Sequence, residues 1–214
     1  MIAEIGLAAL WLAAALAGLQ LLGGFLGVRR EGAELAALVR PAAAVQAVLC
    51  AIAFACLVWL FGVTDLSVAL VASGSHSAKP LVFKLAGAWG NHEGSMLLWV
   101  TVMAVAGGLI AAVERRLPER TMLATLAAQA FVALGFYAFL LISSNPFARL
   151  AQPAEQGAGL NPLLQDIGLA FHPPTLYVGY VGLSVAFSFA VGALLTRSVT
   201  PEFARVMRPW VLGA

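Results

Sequence analysis

His172 stands immediately before Pro173 and Pro174 in LNPLLQDIGLAFHPPTLYVGY, residues 160 to 180, where a polar loop turns into a long apolar run. A neutral imidazole suffices as an axial ligand for haem iron and is a common metal ligand. Pro173 biases His172 away from helical geometry, and prolines suit the first position of a helix. The spacing therefore predicts an imidazole held at the membrane edge, ahead of a helix that the two prolines start and whose apolar span runs from near Thr175. The bland alternative is a helix-start histidine bonded to a loop carbonyl. WGNHEGS, residues 89 to 95, is the second candidate. Gly90 and Gly94 are expected to bracket a tight turn presenting His92 and Glu93, with Trp89 and Trp99 as interfacial rings on either side. Glu93 would cap the following helix, whose N-terminus favours a carboxylate, or pair with a basic partner. His76, within SGSHS, reads as a solvated loop residue. No Cys or carboxylate lies at ligand spacing from these histidines, which disfavours a structural zinc site. Cys50 and Cys56, six apart in one apolar run, fall on different helix faces and read as small packing residues.

The elements that must position these groups are membrane helices. With 62% hydrophobic and 10% charged residues, the 214-residue chain lies outside the soluble range of about 45–50% apolar and about 25% charged. Five apolar runs are long enough to cross a hydrocarbon core, which takes roughly 20 helical residues. They lie near Ile5 to Val28, Pro41 to Val63, Met96 to Val113, Met122 to Ile142 and Thr175 to Leu195. A sixth is expected to open at Pro209 and Trp210, so the chain reads as truncated or as one piece of a larger assembly. Arginines gather after the first span (Arg29, Arg30, Arg40), the third (Arg115, Arg116, Arg120) and the fifth (Arg197, Arg205, Arg208). Only Lys79, Lys84 and Arg149 occupy the alternate loops, so the positive-inside bias puts the N-terminus and the long loops 64–95 and 143–174 outside. The first run is too long for a cleaved signal peptide and carries Glu4 in place of a basic start, so it reads as an anchor.

Within the outer loops, PLVFKLAGAWGNHEGSMLLW carries a segment expected to lie along the outer membrane surface. NPF at 145–147 and NPLLQD at 161–166 are expected to turn, and AQPAEQGAG at 151–159 to be the mobile stretch. Ser184, Ser188 and Gly192 recur every four residues, giving the fifth span a face that another helix can approach closely, with Gly179 and Gly182 extending it outward. Tyr177 and Tyr180 read as an interfacial belt, with flanking a flat ligand as the alternative. The net charge of +2 comes without a basic, aromatic-interleaved patch, which excludes nucleic-acid binding as a supported function.

The motifs WGNHEGSMLLW, SSNPFARL, LNPLLQD and GLAFHPPTLYVGYVGLSVAFSFA, in this order and spacing and with the terminal RPWVLGA, resemble the N-terminal part of the CcmF-type cytochrome c assembly proteins. The resemblance runs through essentially all of the chain. It implies an all-α polytopic protein of five complete spans plus the start of a sixth, forming one membrane domain over residues 1–214. It further implies haem delivery, in a bacterial inner membrane and on its periplasmic side, for covalent attachment to apocytochrome c by a multi-subunit haem lyase. Haem is the implied cofactor. A haem chaperone, apocytochrome c, partner subunits of the complex and membrane lipid are the implied partners. His172 matches the family's outward-facing FHPP histidine, an axial haem ligand. Trp89, His92 and Tyr177 are candidate haem surroundings. The family's Trp-rich segment and remaining histidines match nothing in these residues, so this polypeptide alone is expected to be inactive. Ile167 stands where LLQDPGL would carry Pro. A transporter or channel segment would need polar groups converging at mid-membrane, for which Gln20, Gln46 and Gln129 are the only material. A scaffold subunit with incidental histidines is the third reading.

Overall fold

The structure is a computed structural model that describes residues 1–162 and 165–214. Among the described residues, five helices are long and apolar enough to cross a membrane, in line with a multi-pass membrane protein. Helices are the expected solution, since a chain in hydrocarbon must pair its backbone groups internally. The elements are α1 (Ile2–Val28), α2 (Ala33–Val63), α3 (Ala69–Gly74), α4 (Leu81–Ala86), α5 (His92–Val113), α6 (Glu119–Ile142), α7 (Ile167–Thr196) and α8 (Pro201–Gly213). All five long helices begin before the apolar runs that mark them. The largest differences are α2, which starts at Ala33 and takes Pro41 into its interior, and α7, which starts at Ile167. Hydropathy delimits the part of a helix buried in hydrocarbon, whereas caps and contacts outside it decide where the helix begins.

In the bundle α1 packs on α2 and α6, α2 on α5, and α7 on α5, α6 and α8. The small-residue face of α7 meets α6 as its period predicts. A Cβ on Gly192 would run into the Thr125 hydroxyl and stand 2.9 Å from the Thr125 backbone nitrogen, so only hydrogen fits there. Ser188 Oγ donates to Gln129 Oε1 at 2.6 Å. Each intramembrane glutamine is buried and spans to or from α6. Gln20 Nε2 donates to the Leu126 carbonyl at 2.7 Å and Gln46 Nε2 to the Tyr137 hydroxyl at 3.0 Å. Gln129, on α6 itself, donates to the Met103 carbonyl and to Ser184 Oγ. These amides pin neighbouring helices pairwise, the usual use of polar groups in membranes, and do not converge on a polar path. Cys50 is buried beside the Tyr137 hydroxyl at 2.9 Å, and Cys56 is also a free thiol.

Both ends of the bundle are tied by charge. At the Arg-rich end, Arg40 lies within α2, donates to the Ala111 and Glu114 carbonyls and pairs with Glu119 at 3.2 Å. At the other end Arg149 pairs with Glu4 at 2.8 Å and with Asp65 at 3.4 Å. There, residues 151–159, expected to be mobile, are fastened to loop 64–95. Ala154 N donates to the Leu66 carbonyl, Ala158 N to the Ala72 carbonyl and Gly159 N to the Ser75 carbonyl. The polar composition that marks a free loop serves equally well to hydrogen-bond two loops to each other. PLVFKLAG forms α4, seated against α2 and α7. Within the expected turn at NPLLQD, Leu163 and Leu164 lie outside the described residues.

The segment around Pro209 is the second half of α8. Thr200 Oγ1 caps this helix by accepting from Phe203 N at 3.2 Å, and Pro201 takes its first position. Phe203 and Trp210 pack on Phe189 with centroids 6.4 and 6.5 Å apart. The helix climbs along α7 until Ala214 reaches Gly182, near the middle of α7. The helix that carries Pro209 therefore begins at Pro201, eight residues before the expected opening, and among the described residues it is not one of the five helices long and apolar enough to cross a membrane.

Candidate functional site at the outer ends of the central helices

His172 lies inside α7, in its second turn. Asp166 is the N-cap, its Oδ1 accepting from Gly168 N at 2.6 Å, and Ile167 is the first helical residue. The expectation that Pro173 and Pro174 begin the helix is therefore corrected: both are interior. Two prolines deprive the carbonyls four residues back of their N–H donors. This break falls in the second turn of α7, close to its N-terminal end. The Thr175 hydroxyl donates to the Phe171 and His172 carbonyls, both at 2.9 Å, and knits the segment together.

The His172 side chain is exposed, and its imidazole has no hydrogen-bond partner among the described residues. By the helical period it heads a stripe running through Leu176, Leu183 and Phe187, which are 49%, 49% and 56% exposed. Phe171 beside it is 65% exposed. A free imidazole above an open apolar face fits the needs of an axially ligated haem, which takes one neutral nitrogen and an apolar surface for the macrocycle.

His92 faces elsewhere. It opens α5, and the cap is Asn91, whose Oδ1 accepts from Gly94 N at 2.7 Å, while its Nδ2 donates to the Gly87 carbonyl at 2.6 Å. Glu93 is thus not the cap, and Gly94 belongs to the helix and not to a turn. Asn three residues before a buried helical glycine was a readable N-cap signal that the weight given to Glu93 obscured. His92 Nδ1 meets the Ser144 hydroxyl at 3.1 Å, and its ring stands edge-on to Phe139 with centroids 5.1 Å apart. Ser144, fifty-two residues away, carries no sequence signal for this role. A polar cavity of about 390 Å³, lined by Ser73, Glu93, Ser143, Ser144 and Asn145 among others, opens at this position.

Trp89 stacks against Phe54 of α2 at 6.4 Å. Tyr177 donates to Ser95 Oγ at 3.4 Å, and Ser95 Oγ donates to the Trp89 carbonyl at 2.9 Å, so Ser95 links the two. Tyr177 is half-buried and its ring meets Trp99 at 5.6 Å, so it belongs to the bundle more than to a lipid-facing belt. Tyr180 is 63% exposed and touches Trp99 at 5.6 Å. Trp99 is not a peripheral ring but the centre of a cluster joining α5, α6 and α7 through Phe136 and the two tyrosines. The structure thus joins Trp89, Ser95 and Tyr177, turns His92 toward α6, and leaves His172 on the open face of α7. Among the described residues no group of three or more His, Cys, Asp or Glu could hold a metal ion.

Asp65, at the turn after α2, is held below the ordinary aspartate value, chiefly by the Ser67 hydroxyl and amide and with help from Arg149. Burial opposes this shift. The Arg149 guanidinium also donates to Ser67 Oγ, so one arginine gathers Glu4, Asp65 and Ser67 beneath the outer loops.

Residues 89–210 match the family model described as cytochrome c assembly protein. The chain is 49% identical over its whole length to the cytochrome c-type biogenesis protein CycK of Bradyrhizobium diazoefficiens, covering 32% of that protein. It is 43% identical to the cytochrome c-type biogenesis protein CcmF of Escherichia coli, again over the whole chain and 33% of the relative. A solved structure of cytochrome c heme lyase CcmF superposes with a TM-score of 0.83 at 26% identity, over 98% of this chain and 33% of that one. The chain thus spans about a third of the length of the relatives it matches.

Proposed function

The chain belongs to the cytochrome c assembly protein family, and on that premise we propose that it forms the part of a membrane haem lyase that receives haem at His172. The observation that carries this reading is the exposed, unpartnered imidazole of His172 above the apolar face of α7. Haem enters as substrate, supplying the iron that an imidazole can ligate and the vinyl groups that become thioethers with a Cys-x-x-Cys-His apocytochrome.

The chain's own residues would hold and orient this cargo. Thr175 and the two prolines set the backbone from which His172 projects, while Phe171, Leu176 and Leu183 offer the apolar bed and keep water from one side of it. Tyr177, Ser95 and Trp89 brace the outer end of α7 against α5. His92, bonded to Ser144, would shape the surface beside this bed and not ligate iron. We assign the Arg-rich end to the cytoplasm and the histidine-bearing end to the periplasmic side of a bacterial inner membrane, following the positive-inside bias. On that outer face a haem chaperone, the apocytochrome and partner subunits of the complex would meet the chain.

The test is a haem titration of the detergent-purified chain under reducing conditions, followed by absorption and compared with His172→Ala. Histidine-ligated haem lost in the variant is the expected result. Equal spectra, repeated with the remaining two thirds of a full-length relative supplied in trans, would remove His172 from the mechanism and favour a scaffold role.

A further inference from the structure

At the Arg-rich end, α1 and α7 flank α6 without closing over it, and the gap is a groove of about 470 Å³. Its floor is Ala124, Ala127 and Ala128 of α6, whose small side chains leave the space open. Phe25 of α1 and Phe187 of α7 form walls and Phe131 borders the deep end. All three are half exposed or more, at 50%, 56% and 68%. The groove runs from Leu21 to Arg29 on α1 and from Phe187 to Leu195 on α7, about 12 Å along the helices at ~1.5 Å per residue.

Arg29 lines its mouth, and Arg120 stands next to the lining, bonded to the carbonyl of the lining residue Val28. Arg29 lies 4.4 Å from the Phe25 ring centroid. Arg120 sits one turn before Ala124 on the same stripe of α6, and its Nε donates to the Val28 carbonyl at 2.7 Å. Neither forms an ion pair among the described residues: Glu119, beside Arg120, is engaged by Arg40, and no ion pair joins Arg29 to Glu31, two residues on. An apolar slot ending at two arginines that form no ion pair is complementary to one acyl chain beneath an anionic headgroup. Arginine matches phosphate geometry with paired N–H donors. Basic pockets between helices at the cytoplasmic leaflet are where anionic headgroups bind. A zwitterionic headgroup would bring its own cation to the same mouth and lose that match.

We propose that this groove binds an anionic phospholipid, with an acyl chain along the α6 alanines and the phosphate on Arg29 and Arg120. Native mass spectrometry of the detergent-purified chain, offered phosphatidylglycerol and phosphatidylcholine with identical acyl chains, tests it. The expected result is one phosphatidylglycerol retained in preference. Arg29→Gln with Arg120→Gln should weaken that lipid by roughly fivefold per arginine, about 25-fold for the pair, and leave phosphatidylcholine unchanged. Ala128→Phe should displace both lipids by filling the floor, and the milder Ala128→Val serves if circular dichroism shows the first variant unfolded. Equal retention of both lipids by the unmodified chain overturns the proposal. So does an undiminished preference in the double variant, or full retention by a folded Ala128 variant. Absence of any retained lipid overturns it too, and points to another polypeptide segment as the occupant.

Discussion

Adding one methyl group at Gly94, by Gly94→Ala, should disrupt the WGNHEGS corner that positions His92. The new Cβ would collide with the Ala88 carbonyl oxygen and stand 2.8 Å from the Ala88 carbonyl carbon and 3.0 Å from Asn91 Oδ1. Two of these atoms are backbone, which has little room to yield, and the third is the atom that caps α5. Overpacking of this kind costs about 1–3 kcal/mol. Displacing an Asn cap costs about 1 kcal/mol more. Alanine returns about 1 kcal/mol through its better helix propensity. The net destabilisation is then about 1–3 kcal/mol, roughly a fivefold to 150-fold change in the unfolding equilibrium. The assay is reversible unfolding of the detergent-purified chain in a denaturing-detergent titration, with Gly135→Ala as the reference. Nothing lies within 4 Å of a Cβ at Gly135, so that variant should be neutral or gain up to about 1 kcal/mol. Asn91→Ala separates the capping share. If Gly94→Ala proved as stable as Gly135→Ala, the close passage of the Ala88 backbone over α5 would be refuted.

Three further outcomes are expected. Because the folded-state pKa of Asp65 is depressed, its contribution is complete above its unfolded value near 3.8 and fades as pH falls through the lower folded one; Ser67→Ala should shift that loss to higher pH, read by titrating the Asp65 carboxyl by NMR. Ile167 occupies the first position of α7, where proline's fixed φ is welcome, so Ile167→Pro should keep the helix and change stability by no more than about 1 kcal/mol in its favour, measured by the same unfolding titration. Gly192→Ala places a methyl group against Thr125 and should cost about 1–3 kcal/mol by separating α6 from α7; a neutral result there would mean that the helices pack less closely than the structure has them.

The likeness to the cytochrome c assembly family was legible in the polar motifs between the spans, because long ordered loops cannot arise from hydrophobic composition alone. The count of spans was equally legible, since hydropathy sums over local residues and the bilayer sets the required length. The four-residue recurrence of Ser184, Ser188 and Gly192 announced a close helix contact, and the structure placed α6 against it. The partner of His92 was not legible, because Ser144 reaches it only through the packing of α6 on α5. Nor was the anchoring of residues 151–159, whose donors are backbone amides that any sequence carries. The start of α7 was misplaced for a related reason. His-Pro-Pro locally resists the helical state, yet the Asp166 cap and the Thr175 hydroxyl on the Phe171 and His172 carbonyls support the helix through it. By itself, then, the sequence determined which segments are long and apolar enough to enter a membrane, because hydropathy is a property of each residue summed over its neighbours in the chain. The direction each imidazole faces was decided only by tertiary structure, because that depends on which helix arrives beside it.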